Sequence, residues 1–165
     1  MTGNFPNETP IDRIIIYDPQ TDKWIDGPSI PSNRRRGSAG VIIVNDKLYI
    51  VSGIQNGHKS GWVPWMDEYD LKKNVWRVLP DAPHSRDHFH AALVGNKIVA
   101  GAGRRSGADG TFNATVGAID IFDLSTEKWT TGNNIPTERA APCVAVLGDE
   151  AVSYTHLTLP TICSV

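Results

Sequence analysis

The sequence predicts an all-β fold of repeated four-stranded sheets, and three observations predict it. An aromatic residue followed at once by Asp and, seven residues on, by Trp occurs three times: Tyr17/Trp24, Tyr69/Trp76 and Phe122/Trp129, with Asp18, Asp70 and Asp123. Pro31, Pro83 and Pro136, then Arg34, Arg86 and Arg139, continue the same register, every column stepping by 52 and then 53 residues. Among 165 residues there are 15 Gly, 11 Pro and 5 Trp, the composition of many short elements joined by turns. A fixed period of this length signals a stacked or radial array. A β-propeller of radially set four-stranded blades fits it. A β-sandwich also supplies short strands, but no such register.

Each repeat divides into two hairpins. Val41–Val44 and Lys47–Val51 flank Asn45-Asp46, and Ala91–Val94 and Lys97–Ala100 flank Gly95-Asn96. Two β-rich runs around a two-residue Asn/Gly/Asp loop read as a hairpin. The runs end at Ser52-Gly53 and at Gly101-Ala102-Gly103. The aromatic-to-Trp stretch is the second hairpin, turning at Pro19–Asp22, Leu71–Asn74 and Leu124–Glu127. Near a propeller axis only small residues fit, and each first strand supplies them: Ala39-Gly40, Ala91-Ala92 and Val144-Ala145. Farther out the gap widens, so the Tyr/Phe and Trp columns are expected to fill it by burying large apolar area.

The pattern Pro-x-x-Arg, a small first strand, a Gly-ended second strand and Tyr-Asp-x6-Trp resembles the Kelch repeat family. The resemblance covers residues 1–151 and departs from the usual Gly-Gly at Ser52-Gly53 and Ala102-Gly103. It implies an incomplete propeller of about three Kelch-type blades. Residues 34–85 and 86–138 would be whole blades, 1–33 the third and fourth strands of another, and 139–151 the start of a further one. It also implies structural roles for Tyr17, Trp24, Arg34, Gly53, Tyr69, Trp76, Arg86, Gly103, Phe122, Trp129 and Arg139. Residues 152–165 have no counterpart in the other copies. They resemble the translation of a transposase-type sequencing-library adapter and are expected to be non-native, which leaves Cys143 as the one genuine cysteine.

Bulk charge is near balance, 16 Lys+Arg against 18 Asp+Glu, so nothing drives the chain toward nucleic acid. No apolar run approaches the ~20 residues of a membrane span, so no membrane insertion is expected. Two Asn-x-Thr sequons, at Asn7 and Asn113, permit a secretory route without assigning a compartment.

Strand alternation places the connections between repeats, and those between second and third strands, on one face. Two of these are long, Gly53 to Asp67 and Gly103 to Gly117, and long loops on a rigid scaffold are where binding residues concentrate. Candidate partner-binding residues there are Trp62 and Trp65, His58, His84 and His88, and Arg104 and Arg105. The tryptophans suit an anchor or a sugar platform, or fold inward onto their own blade. His88 and His90, read as alternate strand residues, would point the same way. A metal site needs more ligands than that pair supplies, so no metal and no cofactor are expected. One Arg per repeat belongs to the motif, while extra ones suit carboxylate or phosphate groups. The expected function is a binding or scaffold module recognising a protein or carbohydrate partner through this face. The alternative is part of a propeller enzyme, such as a galactose-oxidase-like sugar oxidase, whose catalytic residues lie in other blades.

Overall fold

The computed structural model describes residues 2–4 and 8–155. Strands β1 (Thr2–Asn4) and β2 (Thr9–Pro10) form a small antiparallel pair, followed by the hairpin of β3 (Ile15–Asp18) and β4 (Lys23–Asp26). A 3-10 turn at Ser32–Arg34 leads into β5 (Gly40–Val44) and β6 (Lys47–Val51). A short outlying hairpin, β7 (Ile54–Asn56) and β8 (Ser60–Trp62), precedes β9 (Met66–Asp70) and β10 (Val75–Leu79). The next unit holds β11 (Ala91–Val94), β12 (Lys97–Ala100), β13 (Ile119–Asp123) and β14 (Lys128–Gly132). A last hairpin pairs β15 (Cys143–Leu147) with β16 (Glu150–Tyr154). Two sheets are complete, in spatial order β5-β6-β9-β10 and β11-β12-β13-β14, and all their pairings are antiparallel.

The motif columns acquire physical reasons. Tyr17, Tyr69 and Phe122 sit directly across from Trp24, Trp76 and Trp129, with ring centroids 5.0, 4.9 and 5.0 Å apart. Each following Asp closes the hairpin turn: Asp18 accepts from the Gln20 N–H, Asp70 from Lys72 and Lys73, and Asp123 from Ser125 and Thr126. This is the Asx-turn chemistry that favours Asp there. Trp76 Nε1 donates to Ser29 O and Trp129 Nε1 to Pro80 O, so each indole reaches into the preceding repeat.

The core lies between the two complete sheets. Tyr49, Val51, Met66 and Leu79 meet Phe89, Ile98, Ala100 and Phe122, all buried. Where first strands converge, a side-chain carbon on Gly40 would stand 2.9 Å from both the Ala91 Cβ and the Phe89 ring. That is why the strand opens with small residues. Gly53 and Gly103 adopt φ of 119° and 91°, a region disfavoured for other residues. Their N–H groups donate to Arg86 O and Arg139 O, stitching consecutive repeats together. Ser52 and Ala102, which replace the first Gly of the usual pair, also take positive φ.

The arginine column needs a correction. Arg86 is fully buried and donates to Asp120 Oδ2 at 2.7 Å and to Ala102 O and Ala118 O. In the preceding repeat that position belongs to Arg36, not Arg34. Arg36 is 3% exposed, pairs with Asp67 at 2.7 Å and donates to Ser52 O and Ile50 O. Arg34 lies farther out on the same carboxylate, as His84 does on Asp120. Two more residues separate Pro31 from Arg36 than separate Pro83 from Arg86, and the 3-10 turn lies within that longer stretch. Burial lowers the pKa of both inner guanidiniums, with the facing carboxylates opposing it.

β16 runs through Tyr154, so Val152, Ser153 and Tyr154 pair with Ala145, Val144 and Cys143. Cys143 is a free, exposed thiol. Asn7, His156 and Cys163 lie outside the described residues. Among the described residues no helix is long and apolar enough to cross a membrane.

Candidate functional site

The connections on the loop face are more structured than loops. The first long one holds the β7–β8 hairpin, whose turn begins at Gly57 with φ of 60°. Gly37 and Ile54 exchange backbone hydrogen bonds, and so do Asp87 and Arg104 in the next repeat, which roots both loops on the segments that lead into β5 and β11. Trp62 Nε1 donates to Ser106 O at 2.8 Å and ties the first long loop to the second. Trp65 lies under the Arg34 guanidinium, 4.2 Å from the ring centroid. Both tryptophans are half-buried and engaged within the protein.

The histidines part company. His88 takes φ of 50°, so it interrupts the strand instead of alternating with His90. His90 donates Nδ1–H to Pro142 O at 2.6 Å, and His84 sits on Asp120. His88 instead meets His58, their Nε2 atoms 3.1 Å apart. Behind them, His58 Nδ1 faces Glu8 Oε2 at 3.0 Å and His88 Nδ1 faces Asp87 Oδ2 at 2.5 Å. Ser106 donates both its N–H and its hydroxyl to Asp87. Five residues from four separate segments thus form one hydrogen-bonded chain.

Its carboxylates are held ionised. Burial works to raise the Asp87 pKa, but hydrogen bonds from His88 and Ser106 outweigh it and the group sits below its ordinary value. Glu8 is also lowered, first by the His58 side chain and then by the His58 N–H. Beside this chain Arg104 stacks on Phe112, 4.6 Å to the centroid, and the Phe112 ring is 53% exposed. Arg104 Nε donates to Ser106 Oγ and Arg105 Nε to Ser85 O. Among the described residues neither guanidinium is paired with a carboxylate. Asn113 is exposed on the same loop.

Sequence reasoning singled out His58, His88, Arg104 and Arg105 but missed Glu8, Asp87, Ser106 and Phe112. These four fall outside the repeat columns, and only the folded loops bring them to one place.

Radial four-stranded sheets joined by inter-repeat backbone bonds, with the long loops on one face, define a β-propeller. Residues 35–83 match the family model of the Kelch motif. Kelch-like protein terF of Aspergillus terreus is 29% identical over 82% of this chain and 30% of its own length. Kelch-like protein 7 of Rattus norvegicus is 27% identical over 89% of this chain and 23% of its own length. The solved structure of YjhT superposes with a TM-score of 0.65 at 20% identity, covering 84% of this chain and 50% of that one. The chain thus carries a Kelch motif and is similar to Kelch-repeat proteins over most of its length, and it spans under a third of these curated relatives.

Proposed function

We propose that this chain is a scaffold module that binds a protein partner through its loop face, and that the partner presents acidic groups there. One observation carries the reading: among the described residues Arg104 and Arg105 stand on braced loops without a carboxylate partner, beside the exposed Phe112. An exposed aromatic with neighbouring arginines is the composition of an interface hot spot. Arg forks suit planar carboxylates, and rigid loops lose little entropy on binding. The relatives described above are named for their Kelch repeats, which supports a scaffold over the sugar-oxidase alternative. A protein suits the face better than a glycan, because Trp62 is hydrogen-bonded to Ser106 and Trp65 already carries Arg34.

The test compares proteins captured by the wild-type chain with those captured by Arg104→Ala, Arg105→Glu and Phe112→Ala. An outer-strand variant, Lys128→Glu on β14, is the control. Partners should be lost with the loop variants and kept with the control. Loss that follows Lys128→Glu, or capture indifferent to all four, would place binding elsewhere.

A further inference from the structure

The His58–His88 contact poses a problem of proton placement. Each Nδ1 lies within hydrogen-bond distance of a carboxylate oxygen, of Glu8 at 3.0 Å or of Asp87 at 2.5 Å, and with that oxygen accepting, each Nδ1 carries the proton it donates. Both Nε2 atoms are then acceptors, 3.1 Å apart. Two acceptors at that distance need a cation between or beside them.

The geometry fits a metal ion in that role. Two imidazole nitrogens on one tetrahedral ion, each about 2.0–2.1 Å from it, stand roughly 3.3 Å apart. The observed separation is within a few tenths of an ångström of that. A carboxylate behind each ligating imidazole is the outer shell that fixes its tautomer and raises its basicity. Asp87 is itself wholly buried and is aimed by two bonds from Ser106. The repeat does not require a histidine here: Ser38 and Ala141 take the same left-handed conformation as His88, with φ of 52° and 49°. The expectation of no metal grouped His84, His88 and His90, with His58 nearby, and found no third ligand for the His88–His90 pair; the fold brings His88 to His58 instead.

We propose that His58 and His88 form a two-histidine site for a divalent transition-metal ion of the Zn²⁺ or Cu²⁺ kind, the ions that imidazole suits. Among the described residues no group of three or more His, Cys, Asp or Glu is arranged to hold a metal. The remaining coordination positions therefore fall to water or to a side chain from a bound partner. Metal binding at this pair stands independently of the acidic-partner reading.

Calorimetric titration of the full chain with Zn²⁺ near neutral pH should show saturable uptake of one ion. Cu²⁺ electron paramagnetic resonance should show coupling to two imidazole nitrogens. His58→Gln and His88→Ser should each reduce uptake to background, the latter placing at His88 the residue type of Ser38. Glu8→Gln, a change at a partly exposed side chain, should weaken binding roughly 10- to 100-fold. His90→Ala should change nothing. Circular dichroism checks each variant, and Glu8→Gln decides the matter if a histidine variant does not fold. Absence of saturable uptake would leave a shared proton as the cation and overturn the proposal. Uptake that persists in a His58→Gln/His88→Ser double variant would overturn it too.

Discussion

The second and third repeats meet across a buried apolar interface, while the hairpin of the first stands off from the second across an apolar cleft of about 790 Å³. The same motif column serves both places. Phe122 is 1% exposed and Tyr69 6%, but Tyr17 is 44% exposed and its partner Trp24 66%. Ring spacing across the hairpin is unchanged, 5.0 Å in the exposed pair and 5.0 Å at Phe122/Trp129. The aromatic pair is thus a local product of the hairpin, and its burial is not. Burial comes from the first and second strands of the same sheet and from the unit packed against it. β13 and β14 continue a sheet begun by β11 and β12, whereas β3 and β4 form a sheet of two. On the cleft side of β5, Val41 and Ile43 are 53% and 67% exposed, while Ala91 and Leu93, 50 residues on, pack against the core. An aromatic side chain buries 150–250 Å², worth roughly 4–6 kcal/mol at about 25 cal/mol per Å².

The sharpest way to break this comparison is to truncate the same column in both places. Phe122→Ala should cost about 3–5 kcal/mol. Tyr17→Ala should cost about 1 kcal/mol or less, as an exposed site does. Urea unfolding followed by tryptophan fluorescence measures both, and equal losses would show that burial does not separate the two regions.

A smaller contrast lies in the indoles. Trp129→Phe removes the hydrogen bond to Pro80 O and should cost about 0.5–1.5 kcal/mol. Trp76 and Trp129 find their acceptors 47 and 49 residues upstream. Among the described residues the exposed Trp24 indole N–H has no acceptor, so Trp24→Phe should leave the unfolding midpoint in place. A matching shift for both would undo the assignment of the indole bond to inter-repeat contact.

The smallest effect is electrostatic. Arg77 on β10 bridges Glu68 on its own sheet and Glu127 in the next repeat, at 2.8 and 2.6 Å. The Glu127 pair is half-exposed, so Glu127→Gln should cost under about 1 kcal/mol. Glu68 is buried, which works to raise its pKa, but hydrogen bonds from Arg77 and Lys47 prevail and hold it below its ordinary value. Its contribution is full above the unfolded value of about 4.3 and is lost as pH falls through the lower folded one. Glu68→Gln should therefore flatten the acid limb of the stability profile, and an acid limb as steep as the wild type's would show that this carboxylate is not linked to folding.

Legibility in the sequence followed the range of each interaction. The hairpins, their turns and the aromatic pairs were readable because they depend on neighbours within about ten residues. The Asp after each aromatic was visible as a column, and its turn bonds supply the reason. The Pro-x-x-Arg column was readable as spacing yet pointed to Arg34, because a constant count hid two compensating changes of length. Arg36 steps 50 residues to Arg86, as Lys47 does to Lys97, while the third strands step 53 from Asp67 to Asp120. Only the buried carboxylates Asp67 and Asp120 reveal which guanidinium is inside.

By itself the sequence determined the repeat, the two hairpins of each unit, and the small and large residues that suit a radial array. These are set by turn chemistry and side-chain size, which act locally and recur. Tertiary structure alone decided that His88 meets His58 and not His90, that Glu8 and Asp87 back them, and that Trp62 braces Ser106. Those contacts join residues from different repeats and from loops of unequal length. Their meeting depends on how neighbouring blades sit together, which no spacing within one repeat encodes.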